Sequence, residues 1–386
     1  MSVRPRILLV QPSLQPPGGG NGVAVWLVEA LRDDHAITVL AWEEPDVGAI
    51  NDYYGTSLRA SDFEVVVVPL FWRWLRSATR LRLALLQRYV AMRVARRIGE
   101  RFDLVVSVNN EIDAGRRALQ YIHFPWGWWP RPDADLRWVH RIPLLLPLYY
   151  RIGAMIAPVS RARIAANRTL VNSDWTGERF RETYGGETET VYPPVTHASP
   201  VAPWPQRAGA FVVLGVLERH KRIEEAIAIL DALRAKDQRV ALHIVGSPHD
   251  RAYARTIRRM AEARSDWVTL HVDLPRRELL RLLGSVRYGL HAMEDEHFGI
   301  AVAEMARAGC IVFVPRSGGQ VEIAGRDPRL TYASRDDAVQ KIDAVLRSPA
   351  LQDELRSHLA AQTRHFSVER FRDQIRAIVA EELAGS

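Results

Sequence analysis

Hydrophobic positions in this chain fall into short β-branched runs, separated by longer stretches in which apolar residues recur every three or four positions. The first half reads as strands at Arg6–Val10, Ile37–Trp42, Glu64–Leu70, Asp103–Val108, Leu119–Phe124 and Thr169–Asn172. The second half reads as strands at Phe211–Val216, Ala241–Val245, Val268–Val272, Tyr288–Ala292, Ile311–Pro315 and Leu330–Tyr332. Apolar runs alternating with helical segments predict βαβ units, in which parallel strands are covered by helices. Two sets of about six strands predict an α/β protein of two doubly wound, Rossmann-like domains. The break is expected within Val191–Ala210, where five prolines stop both helix and sheet.

Two segments stand apart from this alternation. Ile142–Val159 has the length of a membrane span but carries three prolines, Gly153 and Arg151. A central arginine costs about 2.5–3.5 kcal/mol on insertion scales, so a buried or interfacial helix is expected instead. Phe71–Gly99 mixes leucine and arginine at helical spacing. It holds eight arginines (Arg73, Arg76, Arg80, Arg82, Arg88, Arg93, Arg96 and Arg97) and no acid. The whole chain has a net charge of +7, so this one segment accounts for the excess. Such a segment suits peripheral contact with an anionic membrane; it also suits a solvated helix whose arginine stems cover apolar surface. A nucleic-acid binder usually spreads basic charge over a broader face, so no nucleic-acid partner is expected.

Composition narrows the class further. At 386 residues, 47% hydrophobic and 25% charged, the chain has the profile of a globular protein of about two domains and not of a disordered one. Its single cysteine, Cys310, rules out an internal disulfide and a cysteine-based zinc site. The N-terminal MSVRPRILLV runs straight into the first strand without the apolar core of a secretory signal, which favours the cytoplasm. His291 and His297 flank Glu296 with no further ligand cluster, so no metal site is expected.

The densest chemistry lies in Glu296–Ile323, EHFGIAVAEMARAGCIVFVPRSGGQVEI. Here a strand ends in the turn Phe298-Gly299-Ile300. A helix to about Ala308 and the strand Ile311–Pro315 follow, and then a second glycine turn, Ser317-Gly318-Gly319. Turns at the carboxyl ends of parallel strands are where open α/β sheets bind ligands, and free N–H groups at a helix start suit phosphate. Glu296 precedes the helix and Glu304 sits two turns in. The pattern suits a sugar diphosphate, with the ribose diol on Glu304.

E-x7-E followed by GG-x-x-E (Glu296, Glu304, Gly318, Gly319 and Glu322) resembles the donor signature of retaining glycosyltransferases of family 4, which have the GT-B fold. Gly18-Gly19-Gly20 after the first strand, Leu242–Gly246 (LHIVG) and Phe366–Phe371 (FSVERF) extend the resemblance over essentially the whole chain. The shorter motifs EHFGI, YIHFP (Tyr121–Pro125), VNSDW (Val171–Trp175) and VYPP (Val191–Pro194) resemble the branch of α-1,2-mannosyltransferases that extend dolichol-linked oligosaccharide.

The resemblance implies two Rossmann-like domains facing a central cleft. An acceptor-binding domain would span 1–195, with a C-terminal helix at about 367–386 packing back on it. A donor-binding domain would span 205–366. It implies a hexosyl transfer, of mannose from GDP-mannose, to a glycan acceptor that is lipid-linked, on the inner face of a membrane. The donor is a co-substrate and no metal or other cofactor is expected. The catalytic residues would be His123, Glu296 and Lys221, with His123 touching the transferred sugar. The donor would be bound by Gly19, Gly20, Gly215, Arg219, Lys221, Gly246, Phe298, Gly299, Ile300 and Glu304. The Trp126, Trp128 and Trp129 rings, directly after His123, suit an acceptor sugar or plain packing.

One position departs from the family pattern. The stretch Gly215–Arg222, GVLERHKR, keeps Lys221 in register but has Val216 where the family usually has an arginine on the diphosphate. Arg219 or Arg222 is expected to supply the missing cation. The departure leaves a non-catalytic nucleotide-sugar-binding protein as an alternative, beside a UDP-sugar transferase of surface polysaccharide synthesis. Asn172-Ser173-Asp174 is expected to cap the following helix.

Overall fold

The computed structural model describes residues 4–73, 84–128, 145–196 and 201–385. Two compact units divide the chain. One runs to Pro194 and takes back Val368–Ser386 at the C-terminus; the other is Val195–Ser367.

The first unit is built on a seven-stranded parallel sheet: β1 (Arg6–Val10), β2 (Ala36–Ala41), β3 (Phe63–Val67), β4 (Leu104–Ser107), β5 (Leu119–Ile122), β6 (Arg168–Val171) and β7 (Glu189–Thr190). Their spatial order is β3-β2-β1-β4-β5-β6-β7. Alternate residues of β1 enter different cores, because side chains of a strand point to opposite faces. Ile7 and Leu9 pack with Val23, Leu27 and Leu31 of the helix Gly19–Leu31 and with Phe371, Ile375 and Val379 of the C-terminal helix Val368–Ala384. Leu8 and Val10 pack on the other face with Tyr89, Val90 and Met92 of the helix Ala84–Ile98. The C-terminal helix is also tied polar to polar: Arg376 Nε donates to Ala30 O at 2.8 Å, and Arg168 Nη1 lies 2.8 Å from Glu381 Oε2.

The second unit has a six-stranded parallel sheet: β8 (Ala208–Leu214), β9 (Ala241–Gly246), β10 (Val268–Val272), β11 (Val286–Leu290), β12 (Ile311–Pro315) and β13 (Thr331–Tyr332), in the order β10-β9-β8-β11-β12-β13. Phe211 and Tyr288 stack at 4.9 Å between centroids across β8 and β11. Ile227 and Leu230 of the helix Ile223–Arg234 are fully buried.

The structure differs from the sequence expectation in particular places. β7 is additional, a two-residue edge strand whose sequence Glu-Thr carries no apolar signal. β8 begins at Ala208, inside the expected linker, and stops at Leu214 because Gly215 turns with φ +154°. β3 ends at Val67, two residues before Pro69, and β5 ends at Ile122. The apolar stretch 142–159 contains the helix Leu145–Ile156, which leaves Ile152 and Met155 exposed. No helix among the described residues is long and apolar enough to cross a membrane.

The arginine-rich segment faces inward more than its composition suggests. Arg88 is buried: its Nη2 donates to Glu111 O at 3.1 Å and lies 3.6 Å from Glu111 Oε2. Arg96 Nη2 lies 2.8 Å from Asp113 Oδ2, and Arg93 Nη1 donates to Ile156 O at 3.0 Å. Burial works against the Asp113 charge, but Arg163, the Ser160 and Gly115 N–H groups and Arg96 hold its carboxyl below the usual range. Three of the eight arginines therefore serve the fold of the first unit. Arg76, Arg80 and Arg82 lie outside the described residues.

Candidate active site

Strand order decides where a ligand can sit in the second unit. The chain leaves β8 toward β9 and leaves β11 toward β12, on opposite sides. The carboxyl ends of β8 and β11 therefore flank a topological switch point, where an open sheet leaves a crevice. The turn after β8 delivers Lys221 and the turn after β11 delivers Glu296. They meet there, with Lys221 Nζ 2.5 Å from Glu296 Oε2. Lys221 Nζ also lies 3.3 Å from Met293 Sδ.

Behind this pair stands His291, buried at the end of β11, its Nε2 3.3 Å from Glu296 Oε2. Burial lowers the His291 pKa, so the ring is neutral at pH 7 and Nε2–H donates to the carboxylate. Burial pushes the Glu296 pKa up, but Lys221 and His291 outweigh it and hold the carboxyl well below the ordinary carboxylate range. Glu296 is thus a fixed anion. Sequence reading took His291 only as a flank; its contact with Glu296 depends on how β11 turns.

Five glycines shape the arrangement. Gly318, at φ +77°, brings its backbone so close to Glu296 that a Cβ would stand 2.4 Å from Glu296 O. Gly319 N donates to that same Glu296 O at 2.8 Å, so this amide positions Glu296. Gly246, at the end of β9, has the Gly215 carbonyl where a Cβ would be, at 2.0 Å. Gly215 in turn lies along the Lys221 stem. Gly299, at φ +101°, opens the helix Ile300–Arg307, whose first-turn N–H groups from Ile300 onward have no partner within the helix. Phe298 is buried edge-on to Phe366 and anchors that turn.

Glu304, one turn along the same helix, pairs with Arg276 at 2.6 Å. Arg276 is the first residue of the helix Arg276–Ser285 that follows β10. No sequence signal singled it out, because its partner lies 28 positions away and on another βα unit. The Arg219 side chain is 77% exposed and lies 3.7 Å from Asp250. Arg222 is bonded to Glu294. Among the described residues, Lys221 is the basic residue of that turn that touches Glu296.

The first unit gathers a second group of the expected residues. The helix Gly19–Leu31 starts at the glycine loop after β1, and Gly20 lies against the His123 ring, where a Cβ would stand 3.1 Å from Nε2. His123 Nε2–H donates to Val108 O at 3.0 Å. Asn110 Oδ1, at φ +64°, accepts from the N–H groups of His123 and Phe124 at 2.7 and 3.0 Å. Gly19, Gly20 and His123 are therefore brought together at the carboxyl ends of β1, β4 and β5. Ser173 accepts from Thr176 N at 3.1 Å and caps the helix Asp174–Tyr184. The tryptophans pack within the unit. Trp126 stacks under Arg88 at 5.5 Å, and Trp128 donates to Glu182 at 3.1 Å with Arg179 over its face. Trp129 lies outside the described residues.

The family model for glycosyl transferases group 1 matches residues 198–366. The Candida glabrata protein named GDP-Man:Man(3)GlcNAc(2)-PP-Dol alpha-1,2-mannosyltransferase is 30% identical over 167 residues, 39% of this chain and 33% of the relative. The Homo sapiens protein of that name is 27% identical over 253 residues, 59% of this chain and 49% of the relative. The chain thus spans at most about half the length of these relatives. The crystal structure of Anabaena HepE in complex with UDP-glucose matches with a TM-score of 0.65 over 98% of this chain and 100% of that one, at 13% identity, a likeness of fold. Residues 198–366 are therefore similar to the glycosyl transferases group 1 family, and the chain has the GT-B fold.

Proposed function

We propose that the chain transfers a hexose, mannose from GDP-mannose, to a lipid-linked glycan acceptor with retention of configuration. The Lys221–Glu296 pair at the switch point carries this reading. A fixed cation and a fixed anion within 2.5 Å suit a donor whose leaving group gains charge while its sugar offers hydroxyls. The name shared by the curated relatives supports the choice of sugar and acceptor.

In this reading the diphosphate lies over Lys221 and the first-turn N–H groups of Ile300–Arg307. Donors already in place where charge grows lower the barrier most. Glu296 accepts from sugar hydroxyls and orients the anomeric carbon. Glu304 accepts from the ribose diol. His123 and the Gly19–Gly20 loop of the first unit serve the sugar and its acceptor. The bond from the anomeric carbon to the diphosphate oxygen breaks as the acceptor hydroxyl attacks from the same side, and its proton passes to the departing diphosphate. The chemistry proposed here uses no metal, so EDTA leaves the rate unchanged.

The exposed apolar residues Leu70, Phe71 and Met155, and the basic composition of 71–99, suit a peripheral seat on an anionic membrane at its cytoplasmic face. The test of the function is mannosyl transfer from GDP-mannose to a polyprenyl-diphosphate oligosaccharide, with melting curves in GDP, UDP and ADP beside it. Transfer with selective stabilisation by GDP is expected. Selective stabilisation by UDP would replace the mannose reading with a UDP-sugar transferase, and nucleotide binding with neither transfer nor donor hydrolysis would leave a binding protein.

A further inference from the structure

The second unit carries a cavity of about 650 Å³ at the end of its sheet opposite to Glu296. It opens where β8, β11 and β12 begin, and Arg207, Arg307, Arg356 and Arg364 line it against one acid, Asp353. Four guanidinium groups around one space repel one another unless an anion lies between them.

Arg207 is the central observation. It is only 7% exposed, yet it has no acidic partner among the described residues. Its Nε donates to Ala202 O at 2.8 Å and its Nη1 to Val286 O at 3.4 Å; Nη2 makes no hydrogen bond among the described residues. Nη2 lies over Gly309, where a Cβ would stand 2.9 Å from it, so the absence of a side chain at Gly309 leaves that nitrogen room on the cavity wall. A guanidinium removed from water without a counter-charge is costly. Arg207 and Arg356 are both held against the Trp204 ring, at 5.8 and 4.5 Å from its centroid. Arg356 shares Asp353 at 3.0 Å, whereas Arg364 has no ion pair among the described residues.

We propose that this cavity is a second ligand site, distinct from the donor site, that binds a small phosphate-bearing anion. A tetrahedral oxyanion accepts paired N–H donors from each planar guanidinium, and Arg matches it better than any other side chain. A volume of this order holds a phosphorylated small molecule as well as the anion itself. The helix Ile300–Arg307 links the two sites, with Glu304 near its middle and Arg307 at its cavity end.

Isothermal titration of the full chain with inorganic phosphate and with glycerol 2-phosphate, at ionic strength matched with chloride, tests the proposal. Saturable one-to-one binding is expected. Arg356→Gln and Arg207→Gln should weaken it at least tenfold, and Lys221→Ala should leave it unchanged. Arg364→Gln, at an exposed position, gives the same readout should the buried Arg207 variant fail to fold. Absence of saturable binding, loss of binding in Lys221→Ala alone, or equal binding of acetate would each overturn the assignment.

Discussion

Arg276 Nη2 lies 2.6 Å from Glu304 Oε1, so the carboxylate assigned to the ribose diol is already neutralised by a cation from the β10 turn. A hydrogen bond to a charged group contributes about 1.5–3 kcal/mol. Glu304→Ala should therefore weaken GDP binding by roughly 10- to 150-fold. Arg276→Ala should weaken it about tenfold, by releasing Glu304 from its orientation. Because the two act as a unit, the double variant should lose less than the two losses combined. Calorimetric titration of all four proteins with GDP measures the coupling, and strictly additive losses would separate Arg276 from the site.

Lys221 and Glu296 make a second pair with a sharper kinetic signature. Lys221→Ala should lower kcat by about 10²–10³, the cost of removing one preorganised donor from a charged transition state. The folded Glu296 pKa is depressed, so its ionised form persists from neutral pH down to well below the ordinary carboxylate range. The stability it contributes is whole above the ordinary carboxylate range and is lost as pH falls from there through that low value. A pH–rate profile between pH 5 and 8 should show no ionisation of Glu296. An acid limb in that window that disappears in Glu296→Gln would refute the fixed-anion role.

Gly246→Ala places a Cβ where the Gly215 carbonyl lies, at 2.0 Å. Backbone must move, and the part that moves is the turn leading to Lys221. Overpacking of this kind costs about 1–3 kcal/mol. The variant should unfold earlier in urea and bind GDP less well. Wild-type affinity in a folded variant would mean that the β8 turn does not depend on this contact.

Arg88 and Glu111 are both buried in the first unit. Removing one partner strands the other charge, at a cost of about 3–5 kcal/mol. Arg88→Ala should therefore lower the melting temperature by many degrees, whereas Arg97→Ala, at an exposed position of the same helix, should leave it nearly unchanged. Equal effects of the two would return the whole segment to the surface.

His243 Nδ1 and His271 Nε2 lie 3.1 Å apart on β9 and β10. Burial lowers both pKa values, and His271 lowers that of His243 further. Below about pH 6.5 the unfolded chain takes up protons that the folded pair refuses. The stability from this pair is thus whole above pH 6.5 and is lost as pH falls from there through the folded pKa values. The melting temperature of His271→Gln should fall less steeply than wild type between pH 6.5 and 5. Parallel curves would mean that both rings titrate normally.

Much of the fold was legible along the chain, since each strand of a doubly wound sheet is a short run of β-branched residues. Arg6–Val10, Val268–Val272 and Ile311–Pro315 stand where the pattern places them. β7 was not legible, because an edge strand of two polar residues buries nothing that a pattern could register. Glu296, Glu304 and Lys221 were legible because their local spacing is tied to a turn, a helix and a turn. Arg276, the inward course of Arg88 and the outward course of Arg219 were not. A side chain's partner depends on which strands are neighbours, and the order β10-β9-β8-β11 is not written in any local segment.

By itself the sequence determined the alternation of strand and helix, the glycines at the strand ends and the identity of the charged groups in those turns. These follow from local sterics and from which faces must leave water. The tertiary structure decided which charges meet: Lys221 with Glu296, Arg276 with Glu304, and Arg207 with no acid among the described residues. Strand order brings together residues tens of positions apart, and at hydrogen-bond distance in a half-buried site a single contact determines whether a charge is a ligand for substrate, a support for its neighbour or a site in want of an anion.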